Sequence, residues 1–244
     1  MVYDTLLKTE NIFAGYGKRE VLFGVDVKID EGSSVLLMGP NGSGKSTFIK
    51  VIVGLLKPYK GKIFFKGEDI SSLSVEKRIN MGIGYLKQDR NIFPALTVRE
   101  NLELGGYGLD SQGIKEGIER IFTYFPFLKE KLNIRAGLLS GGERQALAIG
   151  MVLMKRKEIL LLDEPTAGLS PVAARKILES IMNIKEKEEK ALLIVEHNIK
   201  LILNRIDKNI ILKNGKIIKV VGKNEIFTEK IGKFFFLNNF LTKI

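Results

Sequence analysis

Cysteine is absent from this 244-residue chain, and histidine occurs once, at His197. The first absence excludes disulfides and thiolate metal sites, and the second excludes a metal centre built from clustered imidazoles. Long hydrophobic runs are missing too. The longest uncharged stretch, Gly32 to Gly44, is interrupted by glycines and a proline, so no segment is expected to cross a bilayer. Met1 to Lys8 lacks the shape of a secretory leader, and neither an internal repeat nor a low-complexity linker divides the chain. At 45% hydrophobic residues the chain can bury a sizeable core, most simply as one domain spanning residues 1–244. Lys plus Arg exceed Asp plus Glu by 11, with nine basic and three acidic residues from position 205 onward. Solvation is the commonest reason for such a surface, and no nucleic-acid partner is expected from it.

What is present is concentrated in a few short runs. Val35-Leu36-Leu37-Met38, apolar and strand-like, leads into Gly39-Pro40-Asn41-Gly42-Ser43-Gly44-Lys45-Ser46-Thr47, and Phe48 to Val53 continues as a helix. A polyphosphate is best held by backbone N–H groups turned inward, which demands close approach and unusual dihedrals. Gly39, Gly42 and Gly44 permit both, and a helix starting near Lys45 adds the positive end of its dipole. Lys45 supplies a full charge to the β and γ phosphates, Ser46 a hydroxyl for Mg²⁺, and Thr47 a hydrogen bond to the α phosphate. An ordinary glycine turn does not require every position of G-x-x-x-x-G-K-[ST].

Hydrolysis needs a metal and an oriented water besides. Ile159 to Leu162 is an apolar run of the kind found in strands buried on both faces, and it ends in Asp163-Glu164. Asp163 suits the Mg²⁺ shell; Glu164, expected to point elsewhere by strand alternation, is the candidate base for the water. His197 closes a second apolar strand, Ala191 to Glu196, and Gln88 follows a third, Gly82 to Lys87. Taken alone, either residue is unremarkable. Taken with the acidic pair, His197 is placed to contact the γ phosphate and the water, and Gln88 to reach the metal.

Leu139-Ser140-Gly141-Gly142-Glu143-Arg144-Gln145 has two readings. Ser140 and Glu143 fit a capping box that starts a helix, as do Thr97 and Glu100, which we read as a helix cap alone. Gly141 and Gly142 also expose backbone N–H groups at that helix start, which makes an anion site needing a phosphate held by another molecule.

The organisation is legible at low resolution. The helix after the phosphate loop stops near Gly54, Gly61 to Gly67 reads as a short strand, and Val25, Val27 and Ile29 alternate as its expected partner. Residues 91–155 turn helical and form a lobe inserted between core segments 1–90 and 156–225. In 226–244, Phe234, Leu237, Leu241 and Ile244 fall at helical spacing, an apolar stripe expected to pack on the core or a partner.

Together, Gly39 to Thr47, Gln88, Leu139 to Gln145, Leu162 to Glu164 and His197 resemble the ATP-binding cassette (ABC) ATPases over nearly the whole chain. Within that family the chain is similar to the smaller ATPase of branched-chain amino-acid importers. Arg135-Ala136-Gly137, Ile92 to Leu102 and Ala167 to Pro171 carry that likeness. The resemblance implies an α/β fold: a P-loop NTPase core with a parallel sheet, an antiparallel β lobe and a helical signature lobe. It places Tyr16 on adenine, and Ser140, Gly141, Gly142 and Glu143 over the ATP of a facing subunit, so that a homodimer or a heterodimer with a related ATPase completes two sites. It implies ATP and Mg²⁺, transmembrane permease subunits as partners with Phe93 and Pro94 at the contact, an external substrate-binding protein acting indirectly, and a peripheral place on the cytoplasmic side of the membrane. Ser170 departs from the family, which usually has aspartate there. An exporter ATPase for lipid-linked material, and a non-transport ABC ATPase acting on nucleic acid or cofactor assembly, are the alternatives. The short stretch between Lys45 and Ser140 leaves no room for the coiled coil of the latter class.

Overall fold

The computed structural model describes residues 5–89, 91–197 and 201–223. In chain order the elements are β1 (Thr5–Tyr16), β2 (Arg19–Asp30), β3 (Ser34–Met38), α1 (Lys45–Val53), β4 (Lys60–Phe65), β5 (Glu68–Asp69) and α2 (Val75–Asn80). They continue with β6 (Ile83–Leu86), α3 (Val98–Gly105), α4 (Ser111–Tyr124), α5 (Phe127–Glu130), α6 (Gly141–Leu153), β7 (Ile159–Asp163), α7 (Pro171–Lys187), β8 (Ala191–Val195), β9 (Lys208–Lys213) and β10 (Lys216–Gly222).

Two sheets result. The larger runs β10-β9-β3-β8-β7-β6, parallel from β6 to β9 and closed by antiparallel β10; the smaller is antiparallel, β2-β1-β4-β5. Every residue of β3, β7 and β8 is buried, which requires cover on both faces. Alternation divides that cover. Leu36, Leu160, Leu162, Leu192 and Ile194 join the helical side with Val98, Leu102, Ile118, Leu147 and Leu178. Leu37, Leu161, Leu193 and Val195 face the other way, onto Phe48 and Ile52 of α1 and Leu7, Ile12, Val27 and Ile63 of the small sheet. Each such side chain contributes about 1.5–3 kcal/mol on burial, against roughly 0–1 for an exposed ion pair, so the two apolar layers hold the sheet.

The antiparallel partner differs from the sequence expectation. Val25, Val27 and Ile29 pair with β1 rather than with the Gly61–Gly67 segment, because β1 lies between β2 and β4. Its alternation is broken by irregularities around Thr5/Leu7, Thr9/Ile12, Ile12/Phe13 and Ala14/Gly15, and Asn11 has φ 51°, so a period of two does not stand out. The 226–244 stripe lies outside the described residues.

Cations close the helix ends that point away from the phosphate loop. Arg78, 1% exposed, donates to Val51 O and Ile52 O at the end of α1 (2.9 and 2.7 Å), and to Leu73 O (3.1 Å) and Ser71 O (2.9 Å). Arg120 likewise donates to Leu153 O beyond α4's packing on α6, and Lys157 to Ile79 O at 2.8 Å. Val51 O and Ile79 O also accept from Gly54 N and Gly82 N at 3.2 Å, so the cations add a second bond there, while Ile52 O lies in the last turn of α1, where backbone donors run out. Replacing Arg78 by Met removes the side-chain donor from Ile52 O, Leu73 O and Ser71 O, at about 1–3 kcal/mol for each left unpaired. We therefore expect Arg78→Met to lower the unfolding free energy by at least about 2 kcal/mol in urea titrations, and Arg78→Lys to recover little, since an ammonium lacks the planar fork. A parental urea midpoint for both variants would show that the guanidinium is dispensable.

Candidate functional site

The carboxyl ends of parallel strands converge on one edge. After β3 the chain turns through Gly39 to Gly44 into α1, whose N-terminal residue is Lys45. Gly39 is required sterically: a Cβ there would stand 2.1 Å from Leu212 O and 2.5 Å from Ser43 Oγ. Gly44 has φ 107° and precedes the first helical turn, whose N–H groups lack intrahelical acceptors. Lys45 is 6% exposed, and its Nζ donates to Gly39 O (2.9 Å) and Pro40 O (3.1 Å), folding over the loop it must serve. Burial pushes its pKa down, while Glu164 and Asp163 oppose that.

Beside the loop, Asp163 ends β7 and accepts a hydrogen bond from Ser46 Oγ at 3.0 Å. Its carboxyl is pushed above the ordinary aspartate range, mainly by burial; the Ser46 bond opposes this, Glu164 adds to it, and Lys50 and Lys45 again oppose. Glu164 comes next, and here strand alternation fails as an explanation. The residue adopts φ 51°, a left-handed conformation, while its N–H donates to Val195 O at 2.9 Å. That turn aims the carboxylate across the strand ends: Oε2 accepts from Gln88 Nε2 at 2.8 Å, and Oε1 lies 3.1 Å from His197 Nε2. Gln88 and His197 thus meet on the acid that follows Asp163. Glu164 is the better shielded of the ion pair, its side chain 17% exposed against 53% for His197.

A cavity of about 710 Å³ opens here, lined by Tyr16, Arg19, Val21, Asn41, Gly42, Gly44, Lys45, Ser46, Thr47, Gln88, Glu164 and His197. Gly39, Pro40, Ser43 and Asp163 lie behind this lining and shape it. The donors fit a polyphosphate: an ammonium, hydroxyls and a helix N-terminus, together with a buried Ser43 Oγ that has no hydrogen-bond partner. Among the described residues no group of three or more His, Cys, Asp or Glu could hold a metal unaided. Ser46 and Asp163 instead offer the few oxygens a Mg²⁺ takes when phosphates and water complete its shell.

Sequence reading missed Arg19 and Val21. Arg19 is the cross-strand partner of Tyr16 in the β1–β2 hairpin, so recognising β1 was the signal needed. Tyr16 itself is 48% exposed, with Lys50 Nζ 5.9 Å from its ring centre.

Ser140, Gly142 and Glu143 do not join this cavity. They line another, about 540 Å³, shared with Ser170, Val172 and Phe127. The capping reading holds: Ser140 caps α6 through Glu143 N, and Glu143 returns a carboxylate oxygen to Ser140 N at 2.9 Å, with Gly141 and Gly142 at the helix start. The Glu143 carboxylate also meets Lys131, whose hydrogen bond holds its pKa low, so its work is to fix that start. Ser170 caps α7 by accepting from Ala173 N at 3.3 Å, with Pro171 at the first helical position. A serine there keeps the cap an aspartate would make.

Comparison with known proteins agrees with this geometry. Residues 22–167 match the family model described as ABC transporter. The probable branched-chain amino acid transport ATP-binding protein LivF of Archaeoglobus fulgidus is 40% identical over 91% of this chain and 94% of its own. The lipopolysaccharide export system ATP-binding protein LptB of Haemophilus influenzae is 34% identical over 93% and 94%. The dimeric post-hydrolysis state of an ATP-binding cassette, bound to ADP and Pi, superposes with a TM-score of 0.78 at 26% identity, over 89% of this chain and 99% of that one.

The buried charge of Asp163 has a measurable cost. Because its pKa is higher folded than unfolded, the folded chain holds more protons than the unfolded chain between the ordinary aspartate value and the raised one. Stability is lost across that window, and the loss is complete above it. Asp163→Asn, which keeps an acceptor for Ser46, should therefore melt at a higher temperature than the parent at neutral pH with chelator and without nucleotide, and vary less with pH through the window. A lower melting temperature at neutral pH would contradict this.

Proposed function

This chain belongs to the ABC transporter family and is an ATPase of that family; on this premise we propose that it energises an importer of branched-chain or related amino acids. The observation that carries the catalytic part is the convergence of Gln88 and His197 on Glu164 at a cavity lined by the Asn41–Thr47 loop. Lys45, the α1 N-terminus and Thr47 bind the triphosphate, and Tyr16 packs on the base. Ser46 and Asp163 hold Mg²⁺, which when bound offsets phosphate charge. Glu164 takes a proton from the attacking water, and Gln88 and His197, one on each oxygen, fix its carboxylate at the cavity.

The site is incomplete in one chain. The signature run lies on a different cavity from Lys45. We infer that a second ATPase subunit, a copy or a relative, presents Ser140, Gly141 and Gly142 to the nucleotide, a reading supported by the dimeric ADP-bound neighbour. Closure on ATP and opening after hydrolysis then drive a permease. No helix among the described residues is long and apolar enough to cross a membrane; a peripheral place on the cytoplasmic face belongs to the same proposal, by the likeness to transporter ATP-binding proteins. Phe93 and Pro94 are exposed on a loop held by buried Asn101, which accepts from Phe93 N at 2.7 Å and donates to Phe93 O at 3.0 Å. An apolar side chain 53% exposed on so firmly held a loop fits a permease contact better than a loop anchor. The likeness to LivF supports the amino-acid cargo, and the likeness to LptB supports the exporter alternative.

Glu164→Gln should lower kcat by about 10²–10⁴ while nucleotide affinity is retained, and should accumulate an ATP-bound dimer visible by light scattering. Parental turnover in that variant removes Glu164 from the base role. For the transport reading, Phe93→Asp should abolish co-purification with the permease and leave hydrolysis by the isolated ATPase within about twofold, as a change at an exposed residue outside the nucleotide cavity's lining should. The identity of the recovered permease, and stimulation by an amino acid or by a lipid-linked glycan, separates importer from exporter.

A further inference from the structure

We propose that Glu196 is a positioning residue that locks His197 to the Glu164 turn and so sets the geometry of hydrolysis. The inference rests on the reading of Glu164 and His197 as the base and its partner. The residue departs from what surrounds it: β8 is wholly apolar, yet the carboxyl group following it is 5% exposed. Burying such a group is unfavourable unless hydrogen bonds replace its water.

Those bonds run to two functional segments at once. Glu196 Oε2 accepts from Thr166 Oγ1 at 2.7 Å, and Oε1 accepts from His197 N at 2.7 Å. Thr166 is 3% exposed and stands two residues after Glu164. The contacts therefore close a ring: Glu164 to Thr166 along the chain, Thr166 to Glu196, Glu196 to the His197 peptide, and His197 Nε2 back to Glu164 Oε1 at 3.1 Å. A second strut, Glu164 N to Val195 O at 2.9 Å, braces the same turn on β8.

Glu164 needs bracing. Its φ of 51° is unfavourable for a residue with a side chain and persists only where the surroundings hold it. The chain alternates at this point as well: Glu196 turns inward and is buried, whereas the His197 side chain is 53% exposed. A buried carboxyl thereby fixes the peptide from which an exposed imidazole projects. Neither Glu196 nor Thr166 is among the residues that line the nucleotide cavity. Their loss should therefore displace the catalytic pair and spare nucleotide binding.

The experiment uses the full chain with Glu196→Ala, Glu196→Gln, Thr166→Val and Glu164→Gln, reading kcat and KM for ATP, the Kd of a fluorescent ATP analogue, and the melting temperature. For Glu196→Ala we expect kcat to fall about 10–100-fold, with KM and Kd within about threefold of the parent, the signature of lost orientation. Glu196→Gln keeps an acceptor in the same volume and should recover to within about fivefold in kcat; adding His197→Ala to Glu196→Ala should cost far less than on the parent. Parental kcat in Glu196→Ala overturns the proposal. So does a Glu196→Gln variant that is no better than Ala, or a fall in Kd affinity and melting temperature matching the fall in kcat, which marks a purely structural residue. If Glu196→Ala does not fold, Thr166→Val decides: a loss of several-fold in kcat at unchanged Kd supports the ring, and parental kcat sinks it. Parental hydrolysis by Glu164→Gln instead removes the base reading, whereas a silent Glu164→Gln beside parental Glu196 variants removes only the ring.

Discussion

The parallel ladder around β3 is the constraint on which the rest depends. Leu37 pairs with Val195, Asp163 with Val195 and Leu86 with Leu162, so β3, β8, β7 and β6 end level with one another. Whatever follows those strands is delivered to the same edge: the phosphate loop after β3, His197 after β8, Glu164 after β7, Gln88 after β6. Residues more than a hundred positions apart meet without any dedicated contact to recruit them. The chemistry is therefore a by-product of register, and a slip of one residue in any of these strands would turn its terminal group to the other face.

Register explains placement but not orientation, and orientation is supplied by small polar contacts. Glu164 leaves the ladder through a left-handed turn, so its direction comes from φ rather than from the pleat. Two contacts to β8 and its extension hold that turn, through Val195 O and through Glu196. At the opposite end of the sheet the same principle acts for stability alone. There Arg78 and Lys157 donate to carbonyls at the ends of α1 and α2, and the burial of these long cations is tolerable because each nitrogen has an oxygen to meet.

Much of this was legible because the relevant signals are local. The glycines and Lys45 of the loop, the apolar runs before Asp163 and His197, the stop at Gly54 and the capping boxes at Thr97 and Ser140 each occupy fewer than ten consecutive residues, and each is where the sequence put it. What escaped reading is non-local or irregular. β1 hides its strand character behind bulges, and with it went the pairing of β2 and the place of Arg19 beside Tyr16. Sequence reading assigned no role to Arg78 or Glu196; their burial is decided by α1 and by the Thr166 turn, which no spacing rule connects to them.

The same division between local and non-local bears on why a single chain carries a phosphate cradle and a helix start that do not share a cavity. The α6 start is fully built: Ser140 and Glu143 cap it reciprocally, Lys131 pins Glu143, and Arg144 donates to Leu139 O at 2.6 Å. Capping alone would be served as well by larger residues at the next two positions. Gly141 would accept a side chain with Leu169 Cδ2 as its nearest neighbour at 3.3 Å, and Gly142 with Ala173 Cβ at 3.1 Å. Neither glycine has positive φ. Backbone conformation thus does not demand them, and crowding within the chain demands them only weakly. In the dimer proposed above, close approach of a phosphate gripped by another subunit's Lys45 would demand them, and that group's chemistry matches a bare helix N-terminus.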